Sequence, residues 1–442
     1  MPSISSWLLL GGCLFAGPAL SASDKIPAQA QIIDQRRFNV LNNTRPPTEF
    51  NDTTVFVPPG TTEKSLLGRP FHVYDEEFLK IIGSTPTLTR IAYSEVDPLF
   101  HEAVVWSKRT DEVFFVQNAG PLEAGTGLKK SAIVEKISLA EAAAVANKTD
   151  AVGLVTVHNV TSPEDPKVIN PNGGNNYRGK LIFAGEGQGN DTAPALYVMN
   201  PNKPYDTESM YPMSLNLKAS ELKILMTQRL PSEVRLLTPI TVLLNNFFGR
   251  QFNSLNDLAI HPKNKEIYFT DVPYGYYQDF RPSPGLQNQV YRFNPDTGAV
   301  RIAADGFTHP NGFTFSPDGK HAYVTDTGVG YSFYGNNLTE PSSIYRFDVA
   351  ADGTLENRKT FAFVTPGLPD GVHCDSWGNV YAGCGDGIQV WNPSGKLIGK
   401  IFVGTTSANF NFAGKGRMVI CAENSLFYAT LAAAGNYVES EM

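Results

Sequence analysis

Residues 309–326 read HPNGFTFSPDGKHAYVTD. A half-apolar run, Asn311-Gly-Phe-Thr-Phe315, enters a Ser-Pro-Asp-Gly-Lys turn and leaves it as a second β-rich run, HAYVTD. Two such runs joined by turn residues are the signature of an antiparallel hairpin. The template recurs at Glu102-Ala-Val-Val-Trp106, Asn256-Asp-Leu-Ala-Ile260 and Asp370-Gly-Val-His-Cys374, continuing into EVFFVQ, EIYFTD and NVYAGC. Asn256 and Asn311 lie 55 residues apart, and Asn311 and Asp370 lie 59 apart. Further strand-like runs follow each copy, such as QVYRFNPDTGAVRIAADG and GIQVWNPSGKLIGKIFVG, so each unit supplies about four strands. Four strands at this period mark a β-propeller blade.

The fold class expected is therefore all-β: a six-bladed β-propeller with an N-terminal arm and insertions between the first blades. The gap from Glu102 to Asn256 exceeds one blade, and a second unit fits around Lys180–Asn200. Residues 138–150, rich in helix formers, and 202–240 read as inserted material. A last blade around Thr405–Leu431 is expected to complete itself with an N-terminal strand. Residues 23–84 read as an arm packing on the body, with a short β-like run at Thr53–Val57, and 85–442 as the propeller.

The first position of the repeat is polar in every copy: Glu102, Asn256, Asn311 and Asp370. In a propeller the innermost strands run beside the axis, so equivalent positions converge. Two carboxylates and two amide oxygens suit a hard cation, Ca²⁺ above all, although another divalent ion could serve. Zn²⁺ would call for His or Cys, and no slot holds either. His101, His309 and His373 lie within three residues of slots. Asp257 is placed to support Asn256, and Asp271 and Asp326 read as turn or inter-blade hydrogen-bonding groups. The Gly-rich run at 185–190 follows a β run without a clear helix and is a poor dinucleotide motif. Tyr274–Tyr277 could line the funnel mouth or form a surface loop.

The chain has 442 residues, 42% apolar and 18% charged, with a net charge of −7 and no cluster of Lys and Arg, which argues against nucleic-acid binding. Residues 1–22 resemble a secretory signal peptide; the apolar run Trp7–Leu20 is too short to span a bilayer, and no later stretch is long enough. A secreted, membrane-free product is expected, with N-glycan acceptors at the sequons of Asn42, Asn51, Asn147, Asn159, Asn190 and Asn337. Beyond Cys13 the cysteines are Cys374, Cys384 and Cys421; one disulfide and one free thiol is the expectation, with three small buried hydrophobes as the alternative.

These segments resemble the gluconolactonase/regucalcin family of six-bladed propeller lactonases, and most of all its secreted fungal lactonohydrolases. HEAVVW resembles that family's Glu-Gly-Pro-x-Trp start, and SLNDLAIHPKNKEIYFTD, HPNGFTFSPDGKHAYVTD and LPDGVHCDSWGNVYAGC resemble its later blocks. The resemblance implies a calcium-dependent lactonase acting on an aldonate or pantoyl-type lactone. It implies Glu102, Asn311 and Asp370 as metal ligands and Asn256 facing metal or substrate. Asp370, or Glu102, would be the catalytic base, and the nearness of His309 and His101 to the slots makes them candidates for substrate binding. Two departures stand out: Ala103-Val104 replaces Gly-Pro, and Ser254 stands where sugar-lactone enzymes of the family often carry Arg. A non-enzymatic calcium-stabilised propeller, or a same-fold aryl esterase or strictosidine-synthase-like enzyme, is the alternative.

Overall fold

A computed structural model of the chain describes residues 26–46, 49, 55–122, 124–148, 154–206 and 242–442. The signal-like segment with Cys13, the Asn51 sequon, Thr53–Thr54 and residues 207–240 of the expected insertion lie outside the described residues.

The repeat folds as six four-stranded antiparallel blades in a ring, a six-bladed β-propeller in which one blade's sheet is extended to six strands. The innermost strands are Glu102–Ser107, Pro171–Tyr177, Leu255–Ile260, Pro310–Phe315, Val372–Cys374 and Asn409–Phe412, and they define blades 1 to 6. The second strands, such as Ile267–Asp271 and Val380–Cys384, are buried along their whole length. Each lies between two neighbouring blades, so neither face needs to be polar and the period-2 alternation is weak. The core accordingly sits between blades. Phe410, Phe412, Met418 and Ile420 of blade 6 pack against Tyr381, Ile388 and Val390 of blade 5.

The ring closes as expected for the last blade. Its outer strand is the N-terminal Thr87–Tyr93, pairing antiparallel with Ser425–Thr430. Blade 2 holds the anticipated strands Lys180–Gly185 and Ala195–Met199, and a helix Leu139–Ala146, capped by Ser138, forms within residues 138–150.

Before the ring, the chain adds strands to blade 5 rather than to its own sheet. Phe71–Val73 pairs with Leu397–Phe402, and Ala30–Ile32 pairs parallel with Phe71–Val73. Val55–Val57 form no strand, a correction to the β-like run expected there. Phe56 and Val57 stay exposed there, whereas Phe71 and Val73 bury against blade 5.

The expected disulfide is also corrected. Cys374, Cys384 and Cys421 are all free and buried, held as small apolar side chains inside the blades. The described sequon asparagines Asn42, Asn147, Asn159, Asn190 and Asn337 are all exposed. Among the described residues no helix is long and apolar enough to cross a membrane.

Candidate active site

Each inner strand of blades 1 to 4 breaks register with its partner at the polar slot: between Glu102 and Val105, Pro171 and Gly174, Leu255 and Leu258, and Pro310 and Phe313. Such an irregularity re-aims a side chain that the regular ladder would direct elsewhere. Glu102, Asn172, Asn256, Asn311 and Asp370 all line one axial cavity of about 220 Å³. The four slots identified in the repeat therefore converge, and blade 2 adds a fifth, Asn172.

Asn172 escaped the sequence reading although its signal was available. Pro171-Asn172-Gly173 repeats Pro310-Asn311-Gly312, and Pro369-Asp370-Gly371 is its acidic counterpart. The glycine after each slot faces the next blade. A Cβ on Gly173 would lie 2.4 Å from Asp257 Oδ1, one on Gly312 2.3 Å from the Asp370 carbonyl oxygen, and one on Gly371 2.6 Å from Asn409 Cγ. Adjacent slots are thus held at a spacing that excludes a methyl group. Gly312→Ala is expected to cost about 2–3 kcal/mol, because the backbone carrying Asp370 must move. Thermal melts should show a clear drop for Gly312→Ala and almost none for Gly68→Ala, where a Cβ meets nothing within 4 Å.

The sixth inner strand supplies support. Asn409 donates through Nδ2 to Glu102 Oε2, which also accepts the Ala103 N–H at 3.2 Å. Asp257 Oδ2 accepts the Phe313 N–H at 2.9 Å, stitching blade 3 to blade 4 beside Asn311. Asp271 accepts the Asn253 and Ser254 N–H groups, and Asp326 those of Thr308 and His309; each closes the loop before a slot, as the turn reading anticipated.

Burial, then the neighbouring Asp370 charge, raises the carboxyl of Glu102 well above its usual range. Asp370 is pushed up to about 8 by burial and by the charges of Glu423 and Asp257. Meanwhile the side-chain oxygens of Asn172, Asn256 and Asn311 are buried with no hydrogen-bond partner among the described residues. Three orphaned amide oxygens beside two crowded carboxylates are an unstable arrangement by themselves, since each unsatisfied group costs about 1–3 kcal/mol. A dication would satisfy the amides and remove the carboxylate repulsion together, and five oxygen donors plus water match the six to eight that Ca²⁺ takes. Among the described residues no three His, Cys, Asp or Glu side chains form a metal-binding group; the set is mixed acid and amide.

The three histidines separate. His101 lines the cavity, with Nδ1 2.8 Å from Glu423 Oε1. Burial alone would lower its proton affinity, but Glu423 outweighs this and raises it to about 9. His309 is not on the cavity wall. Its Nε2 faces the Tyr277 hydroxyl at 3.3 Å, and its ring packs on Tyr331 and, 5.8 Å away, on Tyr274, which does line the cavity. His373 faces Asn409 Oδ1 at 3.2 Å towards the opposite end of the axis, and burial lowers it to about 4. The mouth carries Tyr274 and Gln278 from the short helix Tyr274–Tyr277 and its cap.

Residues 220–422 match the model of the family described as SMP-30/Gluconolactonase/LRE-like region. The chain is 34% identical over 203 residues to a lactonohydrolase of Aspergillus oryzae, covering 41% of this chain and 45% of that protein. It is 31% identical over 187 residues to a gluconolactonase of Zymomonas mobilis, covering 40% of this chain and 50% of that protein. The chain thus spans about half the length of the curated relatives it matches. In three dimensions it superimposes on a gluconolactonase of Xanthomonas campestris with a TM-score of 0.57 at 21% identity, covering 82% of this chain and 94% of that one, a likeness of fold. Residues 220–422 are thus similar to that SMP-30/gluconolactonase/LRE-like region, and the chain forms the six-bladed propeller that the sequence resemblance implied.

Proposed function

We propose that this protein is a lactone hydrolase, opening the ring ester of an aldonate or pantoyl-type lactone to the hydroxy acid at a Ca²⁺-dependent axial site. The observation that carries the reading is the convergence of Glu102, Asp370 and three orphaned amide oxygens in one cavity. Glu102, Asn172, Asn256, Asn311 and Asp370 would hold the cation. The chemistry a dication supplies in such a site is Lewis acidity toward a carbonyl and a lowered pKa for water.

The chain's own groups divide the remaining work. Glu102 is tied to Asn409 and is the fixed donor. Among the described residues Asp370 has no hydrogen bond to a fixed donor beyond its contact with Asn311, so it is the freer carboxylate and takes the proton of the attacking water. His101, clamped by Glu423, leaves Nε2 without a partner among the described residues, and its N–H can orient a substrate oxygen. Asn256 faces the same space, while His309 acts on substrate only through the tyrosines that line or flank the mouth. The signal-like N-terminus and the exposed sequons support a secreted glycoprotein.

The direct test is a pH-stat panel of aldonate, pantoyl, aromatic and macrocyclic lactones with cation-loaded protein, then with chelator, then with Ca²⁺ restored. Opening of at least one lactone, lost on chelation and regained with Ca²⁺, is expected. A loaded protein that opens none of them overturns the reading.

A further inference from the structure

Building on the lactonase reading, we propose that Glu186 is a further catalytic residue of the axial site: the acid that hands a proton to the ring oxygen as the acyl carbon–oxygen bond breaks. Glu186 lies on the cavity wall and is 1% exposed. It sits in the Gly-Glu-Gly-Gln-Gly-Asn run at 185–190, a poor match to a dinucleotide motif. The run instead aims this side chain. A Cβ on Gly185 would lie 2.5 Å from the Tyr197 ring, and one on Gly187, at φ +77°, 2.5 Å from the Thr192 carbonyl oxygen. The Glu186 N–H donates to the Asn170 carbonyl at 2.9 Å, and Asn170 Nδ2 donates to the Gly127 and Gly187 carbonyls. Only glycines on either side let the backbone tuck this closely.

The carboxyl itself is half-satisfied. Oε1 accepts the Ser254 hydroxyl at 3.0 Å, and Ser254 Oγ in turn accepts the Gly275 N–H at 3.2 Å, so its one proton is committed to Glu186. Oε2 has no partner among the described residues. Arg281 is near but spends its guanidinium on the carbonyls of Gly189, Thr192 and Asn253 and on Gln251. Glu186 thus has no ion pair among the described residues. Burial dominates and raises it to about 8 without a cation, against the opposing pull of Ser254, His101 and Arg281, and a carboxyl with one hydrogen bond and no ion pair is the kind that holds a proton to give.

The proton balance closes. The water oxygen bonds to the carbonyl carbon while Asp370 takes a water proton. The carbon–ring oxygen bond then breaks, its electron pair goes to the ring oxygen, and Glu186 Oε2 gives that oxygen its proton. The proton on Asp370 returns through solvent to Glu186, and only lactone and water are consumed.

The test compares a six-membered alkyl lactone, whose leaving alkoxide needs a proton, with a six-membered aryl lactone, whose phenolate does not. Glu186→Gln keeps the Ser254 hydrogen bond. It is expected to lower kcat/KM about 100-fold on the alkyl lactone and less than about 3-fold on the aryl one, with Ca²⁺ affinity by calorimetry unchanged. Ser254→Ala removes a hydrogen bond that favours the ionised form, so it should move the alkaline fall of alkyl-lactone activity to higher pH. Equal losses on both lactones in Glu186→Gln, an unmoved alkaline limb in Ser254→Ala, or Ca²⁺ affinity falling as far as in Glu102→Gln each overturn the role alone. Wild-type protein that opens neither of these lactones nor any other lactone of the pH-stat panel overturns the lactonase reading, and this role with it.

Discussion

Asp370→Asn is expected to remain folded and cation-binding yet to open lactone about 10³-fold more slowly than wild type, the scale of a lost general base. The fold should survive because the backbone of Asp370 is held independently of its carboxylate. Its N–H donates to the Gly383 carbonyl at 2.9 Å, and its carbonyl accepts the Thr325 hydroxyl at 3.0 Å. Asparagine keeps an oxygen for the cation and loses only the capacity to take a proton at neutral pH. Saturating kinetics at high Ca²⁺, with a thermal melt of the same preparation, checks the point. If the variant turns over at the wild-type rate, Asp370 is not the base and the axial cation is better described as a structural plug. Glu102→Gln should behave differently. Its Oε2 is bound to Asn409, so its loss should appear first as weakened cation affinity.

Cation binding should also change stability strongly and in a pH-dependent way. Ligand at about 100 times its Kd contributes about 2.7 kcal/mol to the folded state, which in a protein of this size raises Tm by roughly 3 °C. The sign of the pH effect follows from Asp370. Its folded-state pKa, about 8 without cation, lies above the ordinary carboxylate value, so ionising it costs stability. The cation-free protein therefore gains stability as pH falls through 8 toward the unfolded carboxylate range near 4. A bound dication stabilises the ionised carboxylates and removes that gain. Melts at pH 6 and pH 8.5, with chelator and with Ca²⁺, should show the largest cation effect at the higher pH. Identical Tm values with and without cation at both pH values would exclude this site as a cation centre.

The parts of the site that were legible in the sequence are those whose local surroundings repeat. Glu102, Asn256, Asn311 and Asp370 each lie at or near the start of an inner strand whose run is followed by a recognisable turn. Asn172 shares the Pro-Asn-Gly signal, but its strand, Pro171–Tyr177, reads PNGGNNY and has almost no β-branched or aromatic residue. It is a strand because blades 1 and 3 enclose it: Gly174 packs against Ala103 and Gly173 against Asp257. Local propensity carries no trace of that enclosure. Glu186 was hidden for a related reason. Its glycines look like a phosphate loop in one dimension and serve as clearance for a buried carboxyl in three. His309, close to a slot in sequence, is turned behind the tyrosines because Asp326 holds its backbone N–H at 2.8 Å.

By itself the sequence determined the blade, its period, the closing N-terminal strand and the hard-donor character of the slots, because hairpins, turns and strand alternation are short-range properties. Tertiary structure alone decided which polar residues share a cavity, that three amide oxygens are left without partners, and that the cysteines stay apart as thiols. Those outcomes depend on how neighbouring blades approach one another around the axis, a long-range packing geometry that no single segment encodes.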